Sequence, residues 1–330
     1  MRENLELTKN EEILRPIAEY KPFGISSTSE KWFEYSFSEN KEFPIDKRAV
    51  VILAHPDDGE DILGGTIGKL VERGFDITLV IITDGRWGID HRNSMTQEEL
   101  INKRLEETIL GASELGVRKV INLGIEDREV PEDPKSDPYL LENLVDVLKK
   151  NPAGLYLTHA NSENNNTKDY HADHRNTSKL TLEAIQRSRN GNANLNTQPI
   201  LLYADTQGAR NAHGIMRKFG KTFPRASTVD FLLDIGLKIQ EKENAFSRHL
   251  TQINNTPDDI LHDYVAQSRE VAKFRAKQAR RRFFVRPQFA EGLSIHTGQG
   301  FNTDIFNLFN KKDIFMPKKH FTRRSAPIFG

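Results

Sequence analysis

Residues 49–70, AVVILAHPDDGEDILGGTIGKL, run through six apolar positions into one His and four acids, then into a glycine-containing amphipathic pattern. An apolar run of this length suits a buried strand, and the pattern after it suits a helix. Further short β-branched runs follow at 76–83 (DITLVIIT), 119–123 (KVINL), 154–158 (GLYLT) and 199–205 (PILLYAD). Helical patterns near 61–74, 97–116, 137–150 and 173–188 separate them. Strands that are apolar along their length and alternate with helices predict a mostly parallel sheet covered on both faces, an α/β Rossmann-like sandwich. In such sheets ligands gather beyond the carboxyl ends of the strands, which is where His55 to Glu60 fall.

The chain is expected to divide into an N-terminal extension (1–47), a central domain (48–295) and a C-terminal tail (296–330) packed on it. The extension is polar and mixed in charge. After Asp205 the alternation lapses: VDFLLDI (229–235) leads into helical patterns around 236–254 and 257–282, and a basic, aromatic segment closes the chain. That part is expected to be helical or irregular. Asn-rich stretches at 161–169 and 190–197 read as loops.

The chain has 330 residues, with 47 basic and 47 acidic side chains, so no global field recruits nucleic acid or an anionic membrane. The dense basic run at 273–287, KFRAKQARRRFFVRP, then reads as a solvated helix face rather than a nucleic-acid surface. There is no cysteine, which excludes disulfides, thiolate metal sites and a catalytic thiol. No apolar leader opens the sequence and no run reaches membrane-spanning length, so a cytoplasmic location is expected. Self-association into a homo-oligomer is compatible with all of this.

With no Cys, a metal has to sit on His and carboxylate groups. The second candidate stretch, YHADHRNTSKL (170–180), opens a helical pattern after the fourth strand and spaces His171 and His174 on one face. Two His and one Asp form a plausible set for Zn²⁺, with Fe²⁺ or another divalent ion suiting the same donors. Gly64 and Gly65 are tight-turn or close-packing positions, and Asp61 reads as solvated. His91, His159, His213, His249, His262 and His296 read as structural, although His213 and His249 could approach the site from later elements.

AHPDDGEDILGGTI and HADH together resemble the AHPDD-x-E and H-x-D-H signatures of the PIG-L/LmbE-type zinc N-deacetylases. The likeness extends over about 48–295, through TDGRWG (83–88), KRLEETILGASELGV (103–117), INLGIEDREV (121–130) and KENAFSRHLTQI (242–253). The resemblance implies His55, Asp58 and His174 as metal ligands and Asp57 as general base. His171, one turn from a ligand so implied, is suited to stabilise an oxyanion as imidazolium, with Asp173 either orienting it or standing as a solvated acid at the helix start. Arg104 and Asp127 match positions that contact substrate hydroxyls, while Arg104 could equally pair with Glu107 or another acid. Glu60 falls at a position behind the ligands or at the helix start. Arg86 stands where many relatives have Glu; it suits an anionic substrate group or a structural ion pair. Tyr170 is offset from the relatives' oxyanion-donor position and is given no role.

The function implied is a metal-dependent hydrolase that removes acetyl from an N-acetylated sugar or sugar conjugate. Two rival readings stand beside it. One is an amidase with the same site acting on another acylated small molecule. The other is a catalytically idle carbohydrate-binding protein, against which the intact ligands, Asp57 and His171 all argue.

Overall fold

The computed structural model describes residues 32–37, 42–88, 95–160, 171–190, 198–205, 229–253, 264–280 and 286–318. Its strands are β1 (Phe33–Ser36), β2 (Arg48–Leu53), β3 (Asp76–Thr83), β4 (Lys119–Ile125), β5 (Leu155–His159), β6 (Ile200–Asp205), β7 (Phe231–Asp234), β8 (Ala290–Ile295) and β9 (Ile314–Phe315). Among the described residues the helices are α1 (Asp58–Glu72), α2 (Gln97–Glu114), α3 (Pro138–Lys150), α4 (Ala172–Arg189), α5 (Ile239–Phe246), α6 (Leu250–Ile253) and α7 (Tyr264–Gln278).

The nine strands among the described residues form one sheet in the order β1-β4-β3-β2-β5-β6-β8-β7-β9. Its centre, β4-β3-β2-β5-β6, is parallel. The alternating strand-and-helix pattern requires this, because each parallel return needs a crossover. Alternate residues of β2 serve opposite cores: Ala49, Val51 and Leu53 pack with α1 residues Ile62, Leu63 and Ile67, whereas Val50 and Ile52 pack with α3 residues Leu144 and Leu148. The chain moves from β2 to β3 on one side and to β5 on the other. The carboxyl end of β2 is therefore the crevice where the strand order reverses.

The outer strands differ from the helical or irregular C-terminal part expected from the sequence. β8 pairs antiparallel with β6 and β7, and β9 pairs antiparallel with β7. At the other edge β1, from the N-terminal segment, pairs antiparallel with β4. The strand signal of β8 is weak because its sequence, AEGLSI, places Glu291 and Gly292 inside the run. Glu291 is nonetheless buried, and its carboxylate accepts the N–H groups of Gly65 (3.0 Å) and Thr66 (2.8 Å) and the Thr66 hydroxyl (2.6 Å). Lys242 of α5 closes this cluster, donating to Glu291 (2.7 Å) and to the Asp61 carbonyl (2.6 Å). Asp61 is buried rather than solvated, because α5 and α7 cover the middle of α1. Arg275 likewise departs from a solvated basic face: it is 1% exposed and donates to Gln278 at 2.7 Å.

Gly65 resolves as a close-packing position. A Cβ there would lie 2.6 Å from Ile235, itself fully buried beyond the end of β7. No helix among the described residues is long and apolar enough to cross a membrane.

Replacing Gly65 by Ala sets a helix-propensity gain of about 1 kcal/mol against an overpacking cost of about 1–3 kcal/mol. Because Ile235 has nowhere to move, the clash wins. Urea unfolding is expected to show Gly65→Ala less stable than the wild type, and a more stable variant would contradict this packing.

Candidate active site

The turn His55-Pro56-Asp57-Asp58 joins β2 to α1 and is fixed by its own side chains. The His55 N–H donates to Asp58 Oδ2 at 2.8 Å, and the Asp58 N–H returns to the His55 carbonyl. This folds the Asp58 carboxylate back over the end of β2, while Asp57 at the helix N-cap position points elsewhere and keeps its side chain 24% exposed. Adjacent carboxylates thereby reach different surroundings.

Two further imidazoles arrive from other elements. His171 is the N-cap residue of α4 and His174 lies in its first turn, so their rings stack with centroids 4.9 Å apart. His174 Nε2 lies 3.1 Å from His55 Nδ1 and 3.3 Å from Asp58 Oδ1, and His55 Nδ1 lies 3.2 Å from Asp58 Oδ2. Two imidazole nitrogens turned towards each other and towards one carboxylate cannot all be joined by one proton. A cation satisfies the three together. Bonds of about 2.0–2.1 Å in a tetrahedron set donor separations near ~3.4 Å, close to those seen, so the residues present fit a Zn²⁺-sized ion.

His159, at the end of β5, joins them although the sequence reading set it aside as structural. Its ring stacks on His174 with centroids 4.0 Å apart and planes within 6°, and its Nε2 lies 3.3 Å from Asp58 Oδ2. The same Nε2 accepts the Ala54 N–H at 2.9 Å. The available signal was positional: His159 terminates a parallel strand beside β2. Asp58, His159 and His174 form a second possible donor set, as do His55, His171 and His174.

Behind His55 stand two carboxylates. Its Nε2 is 3.2 Å from Asp127 Oδ1 and 3.4 Å from Asp173 Oδ2. Burial opposes charge on His55, but hydrogen bonds to Asp127, Asp173 and Asp58 prevail and hold its pKa well above the free-imidazole value. Carboxylates behind a histidine in this way fix its ring and raise its basicity as a ligand. Asp173 lies closer to His55 than to His171, whose Nδ1 is 4.0 Å away. Burial, reinforced by the His55 and His174 charges, lowers the pKa of His171.

The remaining residues named from sequence form the wall around Asp57. Arg104 is 2% exposed and spans from Asp57 Oδ1 (3.1 Å) to the Gly85 carbonyl (2.7 Å). It thus pairs with an acid, though not with Glu107, which accepts from Thr251 instead. Gly85 has φ +68, and a Cβ there would lie 2.6 Å from the Arg104 guanidinium, so the turn after β3 needs glycine on both counts. Arg86 is held by Asp84 (2.6 Å) and Glu126 (2.9 Å) in a structural ion pair.

Under Asp57 lies a buried pair, His249 Nε2 and Glu60 Oε2, 3.2 Å apart, so His249 does approach the site. His213, His91, His262 and Tyr170 lie outside the described residues. His296 sits apart, with its Nδ1 3.1 Å from the Tyr203 hydroxyl. Burial lowers the pKa of His249, but the charge and hydrogen bond of Glu60, joined by the charges of Asp57 and Glu107, together outweigh it and leave the pKa raised. Burial raises that of Glu60.

A histidine raised in the folded state contributes stability that is complete below its unfolded value, about 6.5, and is lost as pH climbs through the folded value. At pH 6 His249→Asn is expected to be about 3 kcal/mol less stable than the wild type, with the gap narrowing above neutrality. Thermal and urea melts across pH 6–9 test this, and a gap independent of pH would remove the pair from the linkage.

Comparison with known proteins adds four findings. Residues 50–185 match the PIG-L family, described as GlcNAc-PI de-N-acetylase. A diacetylchitobiose deacetylase of Thermococcus kodakarensis is 28% identical over 260 residues, covering 79% of this chain and 89% of that protein. Among solved structures, the N,N'-diacetylchitobiose deacetylase of Pyrococcus horikoshii in complex with an inhibitor has a TM-score of 0.58 at 23% identity, covering 81% of this chain and 88% of its own. The 4-carboxy-2-hydroxymuconate hydratase GalB of Pseudomonas putida KT2440 has a TM-score of 0.55 at 21% identity, covering 78% and 98%. The fold alone thus hosts more than one reaction, and function has to be argued from the site.

Proposed function

We propose that the protein, whose residues 50–185 match the PIG-L family, is a metal-dependent hydrolase removing acetyl from an N-acetylated sugar or sugar conjugate. One observation carries the reading: His55, Asp58 and His174 converge within 3.1–3.3 Å while Asp57, the neighbouring carboxylate, stays outside the cluster and partly exposed. The deacetylase of T. kodakarensis supports the reaction class.

On this reading His55, Asp58 and His174 would hold Zn²⁺, with Fe²⁺ suited to the same donors. When bound, the ion would supply Lewis acidity towards an amide carbonyl and a water. Asp57 accepts the proton of the water that attacks the acetamide carbon, then returns it to the departing amine nitrogen, so that acetate and a free amine result. Arg104 keeps Asp57 facing the cleft through their 3.1 Å ion pair. His171 donates an N–H to the carbonyl oxygen as negative charge develops there. Either protonation state of imidazole carries such a donor, so the lowered pKa leaves this role intact. Asp127 and Asp173 orient His55. The burial of Asp127, Arg104 and Asp173 favours positioning work over direct contact with sugar hydroxyls.

Asp57→Asn retains shape and loses basicity. Metal content by elemental analysis is expected to persist, while acetate release from N-acetylated sugars falls at least ~10²-fold. His55→Ala, Asp58→Ala and His174→Ala are expected to lose the metal itself. Near-normal turnover in Asp57→Asn, or full occupancy in His174→Ala, would overturn the corresponding assignment.

A further inference from the structure

The rim of the site carries a pair of side chains for which the reaction just described has no use. Trp87, in the turn after β3, is a large aromatic residue left 46% exposed. The Arg128 guanidinium lies over its ring, 5.3 Å from the centroid. Neither residue is placed at random. The Trp87 backbone N–H donates to Asp127 Oδ2 at 3.3 Å, and the Arg128 backbone N–H donates to Asp173 Oδ2 at 2.8 Å. Asp127 and Asp173 are the two carboxylates that hold His55 Nε2. Each member of the pair is therefore one carboxylate removed from the metal-ligating histidine.

Arg128 adds a second, independent sign. Its φ is +77, the one non-glycine residue with positive φ among those described. A long side chain in that region costs energy that glycine would avoid, and such strain persists at sites where the side chain or its placement is needed. Here the strained backbone aims its N–H at Asp173 and its guanidinium over the indole.

From this arrangement we infer that Trp87, backed by Arg128, is a platform on which a pyranose ring of the substrate stacks, next to the ring whose acetamide is cleaved. The inference rests on the deacetylase reading above and narrows its substrate to a glycoside or oligosaccharide longer than one sugar. A pyranose presents an apolar C–H face, and the negative face of an aromatic ring attracts those hydrogens while both surfaces leave water. Indole offers the largest such face, and a guanidinium on the other side fixes its orientation. A free monosaccharide whose acetamide occupies the metal site has no second ring to reach the platform.

The test compares Trp87→Ala and Trp87→Phe with the wild type, all loaded with Zn²⁺, on N-acetylglucosamine and N,N'-diacetylchitobiose. For the disaccharide, Trp87→Ala is expected to raise KM about tenfold, the scale of truncating a Trp anchor, with kcat changed by less than about threefold. Trp87→Phe should recover part of that loss, and the monosaccharide KM should move little. An unchanged disaccharide KM in Trp87→Ala, or an equal fall in kcat for both sugars, overturns the platform.

A second readout avoids turnover. The chain contains two tryptophans, Trp87 and Trp32, and Trp32 lies against Lys150 at the end of α3. In the Asp57→Asn protein, added disaccharide is expected to change the intrinsic fluorescence, and the change should vanish when Trp87→Phe is added. A response that survives that substitution overturns the inference. Acetate released by the wild type with KM indifferent to Trp87 removes the platform and leaves the deacetylase reading standing. Absence of acetate release from either sugar overturns that reading, while fluorescence still decides whether sugar meets Trp87.

Discussion

A buried carboxylate in want of positive partners organises this molecule. Asp58 is 7% exposed, and burial alone would drive it to the neutral form. The charge of His174, the largest opposing influence, reverses this and holds its pKa well below the ordinary range. A charge so placed is tolerated only when its surroundings are fully assembled, because an unpaired buried ion is far more costly than an exposed one. The imidazoles that assemble around it come from the ends of β2 and β5 and from the start of α4. Correct formation of the parallel centre and correct formation of the site are therefore the same event.

The position of Asp58 is in turn set by α1, and α1 is held from the far side of the sheet's flank. Glu291 binds backbone N–H groups in the middle of the helix, and Lys242 joins Glu291 to the Asp61 carbonyl one turn earlier. Below Asp57, the Glu60 and His249 pair anchors the first turn to the segment between α5 and α6. The C-terminal third thus does more than cover the domain. It supplies the side chains that fix where the helix bearing Asp58 begins.

These dependencies explain what could be read from the chain directly. β3 is legible to the residue, because DITLVIIT is apolar on both faces and lies wholly between two cores. The paired motifs bring His55, Asp58, His171 and His174 together because their spacing expresses local geometry: a three-residue turn and one turn of helix. The partners of Asp127 and Asp173 are not local. Their attachment to His55 depends on how the β4 and α4 ends meet across the sheet, which no spacing encodes. β8 escaped for a related reason. Its charged and glycine residues weaken a strand pattern, yet the Glu291 carboxylate serves α1, 225 residues or more earlier in sequence. His159 and Arg275 show the same limit, since a polar side chain on a strand or helix reveals its burial only once its neighbours are known.

The two outermost strands have a consequence for how the molecule behaves in company. β1 has four residues and β9 two, the shortest of the sheet apart from the equally brief β7. A sheet of nine strands would otherwise present two long rims of unpaired amide groups, each a template for another chain to extend. By placing its most abbreviated strands at the rims, the fold leaves an incoming strand only a few residues to pair with. Among the described residues, the flanking segments that enlarge the sheet also seal it, protecting the parallel centre from edge-to-edge aggregation.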